Sequence, residues 1–191
     1  MKPWSALLLV VPALAAADEV DDGRAAHGHA PIVNHVNLRV GRASSDLTGN
    51  PTVCLDVKVA FGFGAEACGT GAQLWHDDVG QEMSHYRVHY AVADRALWKG
   101  TLVARGGLGF AEMQVGKDNP GFVFGGVDRD RGSVSGPEAS LSVQWLAPLV
   151  GGLDFVVTGT AGVAYFAHAE ELATTKSDAQ GFASIEAGIG W

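Results

Sequence analysis

Apolar residues in this chain recur at every second position over most of its length, the spacing of strands with two unlike faces. The run 183–191 is the clearest case. Ala183, Ile185, Ala187, Ile189 and Trp191 fall on one side, Ser184, Glu186, Gly188 and Gly190 on the other. Before it, Leu153, Phe155, Val157, Ala161, Val163 and Tyr165 stand opposite Asp154, Thr158, Thr160, Gly162 and His168. Ala139, Leu141, Val143 and Trp145 alternate with serines and Gln144, and Tyr86, Val88, Tyr90 and Val92 alternate with His85, Arg87, His89 and Ala91. A helical period would scatter each set around a cylinder. The pattern predicts strands near 35–42, 52–60, 63–75, 84–94, 98–115, 137–147, 152–168 and 181–191.

The connections between them alternate in length. Turns at 60–62, 94–97 and 148–152 are short, whereas 43–51, 76–83, 116–136 and 169–180 are long. An even strand number with alternating short and long connections predicts an all-β fold, a closed antiparallel up-and-down transmembrane barrel of about eight strands. Aromatic residues sort by height under this threading. Phe61, Trp98, Trp145, Phe155 and Trp191 fall at the short-turn end, and Trp75, Tyr86, Phe110, Tyr165 and Phe182 at the other, as two interfacial girdles require.

The terminal stretch Phe182 to Trp191, alternating and closing on an aromatic residue, resembles the assembly signal of bacterial outer-membrane β-barrels. As a pattern, the whole chain after residue 17 is similar to the small eight-stranded members of that class. The resemblance implies a Gram-negative outer-membrane location, contact with outer-membrane lipid, and delivery by the barrel-assembly machinery. Ile185, Ile189 and Trp191 would carry that assembly signal. Among such barrels are lipid-modifying enzymes that work through a histidine, a serine and an acid.

The amino-terminal residues supply an address. Lys2 precedes an apolar run from Ala6 to Ala17, and Ala15-Ala16-Ala17 offers the small residues of a cleavage site before Asp18-Glu19. The run is too short to span a bilayer as a helix and reads as an export signal over 1–17, cleaved after Ala17. Residues 18–34 then form a flexible leader, and 35–191 the barrel domain. Composition changes the picture little, with one exclusion. Thirteen basic against 21 acidic side chains, a net charge of -8, leave no basic face for a nucleic acid.

If the apolar face meets lipid, the other face fills the lumen with Arg39, Asp56, Lys58, Glu66, His85, Arg87, His89, Arg105, Glu138, Asp154 and Glu186. An eight-stranded interior is just wide enough for side chains, so these charges are expected to pair across it. Cys54 and Cys68 lie equally far from Phe61. A tight turn there makes them cross-strand neighbours, and an exported chain meets an oxidising compartment, so a Cys54–Cys68 disulfide is expected. Closing its loop contributes roughly 3 kcal/mol. The same symmetry sets Asp56 opposite Glu66 and calls for a nearby base such as Lys58.

Chemistry beyond this is sparsely signalled. His27 and His29 beside Asp21 and Asp22 fit no strong metal template, and Arg87 between His85 and His89 would repel a metal. Ser84 and His85 near Glu82, Asp77 and His76 offer the parts of a hydrolase, but adjacent strand residues point to opposite faces. His168 with Glu170 is a second such pair. Gly62-Phe63-Gly64 and Gly106-Gly107-Leu108-Gly109 lack the helix and lysine of a phosphate loop. They fit relief of crowding inside a closed barrel. The connection 116–136, with Lys117, Asp118, Phe122, Phe124, Asp128, Arg129, Asp130 and Arg131, is the expected surface for an extracellular partner. No cofactor is implied. The functional expectation is a structural or loop-binding outer-membrane barrel, with a lipid-modifying enzyme or a soluble periplasmic ligand-binding barrel as alternatives.

Overall fold

A computed structural model describes residues 36–70, 80–116, 121–173 and 176–191. The expectations for the signal and leader, for His27 and His29, for Trp75, His76 and Asp77, and for Lys117 and Asp118 lie outside these residues. The described chain forms strands β1 (Val36–Ala43), β2 (Thr52–Ala60), β3 (Phe63–Gly69), β4 (Gly80–Leu97), β5 (Gly100–Gly116), β6 (Ser133–Pro148), β7 (Asp154–Tyr165) and β8 (Ala179–Gly190). Each pairs antiparallel with its sequence neighbour, and β8 returns to β1, closing the barrel. Reciprocal backbone hydrogen bonds between Val36 and Trp191, at 2.9 and 3.0 Å, finish that seam. Closure leaves no unpaired edge strand between β8 and β1.

The three tight connections gather at one end, here the turn end. Phe61 and Gly62 (φ 52° and 81°) turn β2 into β3 as a two-residue hairpin with both residues left-handed. A register shift between Lys58 and Ala60 inserts one extra residue, and only then do Cys54 and Cys68 face each other. The β4–β5 turn sits later than expected. Pairing continues past Asp94 to Leu97 opposite Gly100, leaving Trp98 (φ 54°) and Lys99 as the turn. The β6–β7 turn spans 149–153, closed by the Leu149 N–H on the Leu153 carbonyl.

At the opposite, loop end several boundaries move: β3 ends at Gly69 instead of 75, and β4 begins at Gly80 instead of 84. β6 begins at Ser133 instead of 137, because Ser133, Val134, Ser135 and Gly136 pair with β5 from Gln114 to Ala111. These positions lack the alternating large apolar residues that would announce a strand. β7 stops at Tyr165, and the chain turns at left-handed His168 (φ 62°) into a single 3-10 turn, Ala169–Glu171. Asp178 holds that turn, accepting from the Ala169 N–H at 3.1 Å.

The outer wall is largely apolar and the interior largely polar. Leu38, Val40, Leu55, Val57, Val88, Leu108, Leu141, Val143, Ile185 and Ile189 are exposed on the outer wall, Leu108 to 70%. Asn37, Arg39, Asp56, His85, Arg87, His89, Arg105, Glu138, Gln144, Thr158 and Glu186 are buried within. Small apolar clusters lie toward each end of the interior. Val103, Leu146 and Val156 lie at the turn end, and Met83, Met113, Val134, Phe166, Ala169 and their neighbours at the loop end.

Candidate functional site

The lumen is built by inward positions on all eight strands, since directly opposed residues of an antiparallel pair share a face. In register, Asn37 faces Asp56, Asp56 faces Glu66, and Glu66 faces Arg87 around the wall. Room for the long side chains comes from inward glycines. A methyl group on Gly64 would fall 2.4 Å from His89 Cε1, and one on Gly162 2.5 Å from Phe182 Cζ.

Asp56 is the hub of the network. Its Oδ2 accepts from Arg105 Nη1 at 2.6 Å and Asn37 Nδ2 at 3.1 Å, and its Oδ1 lies 2.8 Å from His89 Nε2. Glu66 pairs directly with Arg39, with Arg87 Nε at 2.9 Å, and with Arg105 Nη2 at 3.6 Å. Arg39 Nη1 also donates to Thr158 Oγ1 at 2.6 Å, which Gln144 Nε2 approaches at 3.2 Å. His85 Nδ1 lies 2.6 Å from Glu138 Oε2, and its ring packs on Phe182 at 4.3 Å. Paired in this way, charges remain tolerable where lone ones would cost several kcal/mol each.

Three arginines and a histidine make the direct contacts to the opposed carboxylates Asp56 and Glu66, and Lys58 acts on Asp56 from farther away. Lys58 is half-buried nearer the turn end, where inward Asp154 is also buried. Glu186 faces inward opposite Thr158 but takes no part in the ion pairs among the described residues. Cys54 and Cys68 are joined as a disulfide, both inside the wall. Ile185, Ile189 and Trp191 all lie on the outer surface.

Among the described residues the catalytic candidates do not assemble. Ser84 follows the outer face of β4 while His85 points into the lumen, and His85 is tied to Glu138. His85 and His89 hold different acids, Glu138 and Asp56. His168 is an exposed loop residue rather than a member of β7.

The aromatic residues form two groups, with one correction. At the turn end Trp98, Trp145 and Phe155 pack edge-on, 6.2 and 6.4 Å between centroids. At the loop end Tyr86 stacks on Phe110 at 5.1 Å. Phe182 does not join them. Its parity on β8 matches Glu186, and it lies inside under the Arg87 guanidinium at 5.6 Å. Phe122 and Phe124 complete the outer group instead, packing on Tyr86 and Phe110 from the loop after β5. Buried Glu112 pins that loop, accepting the Gly121 and Phe122 N–H groups at 2.7 and 3.0 Å. No signal in the local sequence links Glu112 to a segment that folds back over it.

Beyond this aromatic group the polarity of the wall reverses. Ser84, Glu112 and Ser135 share the outer face, whereas Met83, Met113 and Val134 point inward and pack with Phe166 and Ala169. Below the group, on the same β5, Leu108 points out and Arg105 in. Between Leu55, Val57, Tyr86, Val88, Leu108 and Phe110, the outer wall carries an apolar groove of about 500 Å³ floored by Ala65 and Ala67. Comparison with protein-family models, with curated proteins and with solved structures finds no match to this chain.

Proposed function

We propose that this chain is a small outer-membrane β-barrel of a Gram-negative bacterium, with a structural role or one of binding through its loops. One observation carries the reading: the wall is apolar outside and charged inside, up to an aromatic collar where the order reverses. Exposed Leu108, Leu141 and Ile185 would each cost roughly 1.5–3 kcal/mol of unrealised burial in water, and a bilayer removes that penalty. Above the collar the outer face turns polar, as it must where hydrocarbon ends. The apolar run before Asp18 supports export by a cleaved signal, and the outward Ile185, Ile189 and Trp191 support recognition by the barrel-assembly machinery.

The filled, cross-paired lumen favours a scaffold over a conduit. It also speaks against a soluble ligand-binding barrel, whose apolar face would line the interior. A lipid-modifying activity draws no support from His85, enclosed with Glu138 away from any bilayer surface. Binding falls to the loop-end surface, where 121–132 carries Arg129 and Arg131 beyond the aromatic collar, and Arg129 bridges to Glu171 at 2.6 Å. The native cysteines are bonded, so single-cysteine probes are clean. A fluorophore on Ile189→Cys is expected to be quenched by lipid-borne quenchers in reconstituted vesicles, and one on Glu186→Cys is not. The reverse contrast, or recovery of the chain in the soluble periplasmic pool, overturns the reading.

A further inference from the structure

We propose that the Cys54–Cys68 bond forms on the β2–β3 hairpin before the barrel closes, so that its oxidation is a step upstream of closure. The finished barrel encloses the bond. Cys54 is fully buried and Cys68 6% exposed, both on the inner face. Arg39 and His85 flank the pair in register, and Arg87 Nη2 lies 3.8 Å from Cys68 Sγ. Apolar clusters pack toward both ends of the interior. Thiol–disulfide exchange needs a sulfur to reach another sulfur directly, through a mixed disulfide. The filled interior offers such a reagent no approach.

The hairpin contains everything the bond requires. The two cysteines are 14 residues apart in sequence and their strands meet through the two-residue turn at Phe61–Gly62. The extra residue between Lys58 and Ala60 is decisive. With a regular ladder running from the Ala60–Phe63 pair, Cys54 would face Gly69 and Cys68 would point to the other side of the sheet. The bond is thus compatible only with the bulged register, the same register that sets Asp56 opposite Glu66. Once formed, it retains that register while Arg39, Arg87 and Arg105 arrive from other strands. Bonding before closure therefore fixes where the lumen carboxylates stand.

The chemistry balances with a disulfide oxidant of the exported compartment. The thiolate of one cysteine attacks the oxidant's disulfide, forming a mixed disulfide and releasing one oxidant thiolate. The second cysteine's thiolate then attacks the protein sulfur of that mixed disulfide and releases the other. Two protein thiols lose two electrons and two protons, and the oxidant leaves as a dithiol or as two thiols.

The test uses the full chain, reduced in urea and diluted into detergent micelles without oxidant, then challenged with oxidised glutathione. Free thiols are counted by alkylation and gel shift. The closed, reduced barrel is expected to oxidise at least 100-fold more slowly than the same chain in urea. Failure of the reduced chain to close, where the oxidised chain closes, supports the same order. Oxidation of the closed barrel at the urea rate overturns it. In exporting cells, pulse-labelled chain is expected to acquire the bond before it becomes protease-resistant. A protease-resistant, still reduced form that is oxidised later overturns the proposal independently. Neither measurement depends on which solvent meets the outer wall, so failure here leaves the membrane reading standing.

Discussion

Replacing Asp56 by Asn keeps the shape of the hub and removes its charge. In the native lumen Asp56 holds Arg105 at 2.6 Å, His89 at 2.8 Å and Asn37 at 3.1 Å, with Arg39 at 3.9 Å, all inside the wall. The amide retains one acceptor oxygen and turns the other into a donor. Either Arg105 or His89 then meets a donor, and three guanidinium groups, those of Arg39, Arg87 and Arg105, converge on the charge of Glu66. Breaking one member of a buried ion pair costs about 3–5 kcal/mol, because the remaining charge stays buried. With a urea slope of about 1–3 kcal/mol per molar, the unfolding midpoint falls by roughly 1 M or more. Glu186→Gln is the internal control. That carboxylate is equally buried but stands outside the ion pairs, so its neutral form is expected to leave stability unchanged or to raise it. Reversible urea unfolding in micelles, followed by tryptophan fluorescence, measures both. Equal losses for the two variants would refute the hub, since burial alone would then set the cost.

Other positions give sharper local tests. Gly64→Ala places a methyl group on His89 and is expected to destabilise by about 1–3 kcal/mol, whereas Gly106→Ala on the outer wall meets open space and is neutral or slightly stabilising, read in the same unfolding assay. Glu112→Ala frees the Gly121 and Phe122 amides, so limited trypsin digestion at Arg129 and Arg131 is expected to accelerate while the barrel core stays intact. Ile185→Arg is expected to lower the stability of the vesicle-folded protein by about 2–4 kcal/mol if residue 185 lies near the bilayer midplane. The loss should shrink at the aromatic collar, and no dependence on depth counts against a hydrocarbon environment.

The eight strands were legible because most of them carry large apolar residues on one side only, and period two leaves no other regular structure to form. The hairpin at Phe61 and the disulfide could be read from symmetry about a single residue. That symmetry holds only through the extra residue between Lys58 and Ala60, which spacing alone does not reveal. Phe182 misled because aromatic character suggests an interface, while its parity with Glu186 places it inside. The start of β6 was hidden by the reversal of polarity. Val134 is apolar and inward among serines, the opposite of the rule that holds further along the same strand. The choice of Arg39, Arg87 and Arg105 over Lys58 depends on contacts between strands distant in sequence, and no local pattern encodes it.

The strands are unequal in a way that bears on the surrounding lipid. β3 has 7 residues and β1 and β2 have 8 and 9, whereas β4, β5 and β6 have 18, 17 and 16. At about 3.4 Å per residue and a tilt near 40°, the described β3 rises only about 18 Å, less than the roughly 25 Å apolar band of a typical outer-membrane barrel. On the proposed footing, lipids beside β1–β3 must compress to meet this low side, at a fraction of a kcal/mol per ångström of mismatch. Lipids beside β4–β6 do not. The barrel would then impose a lopsided elastic strain on its bilayer, and shorter acyl chains would gather along one flank only.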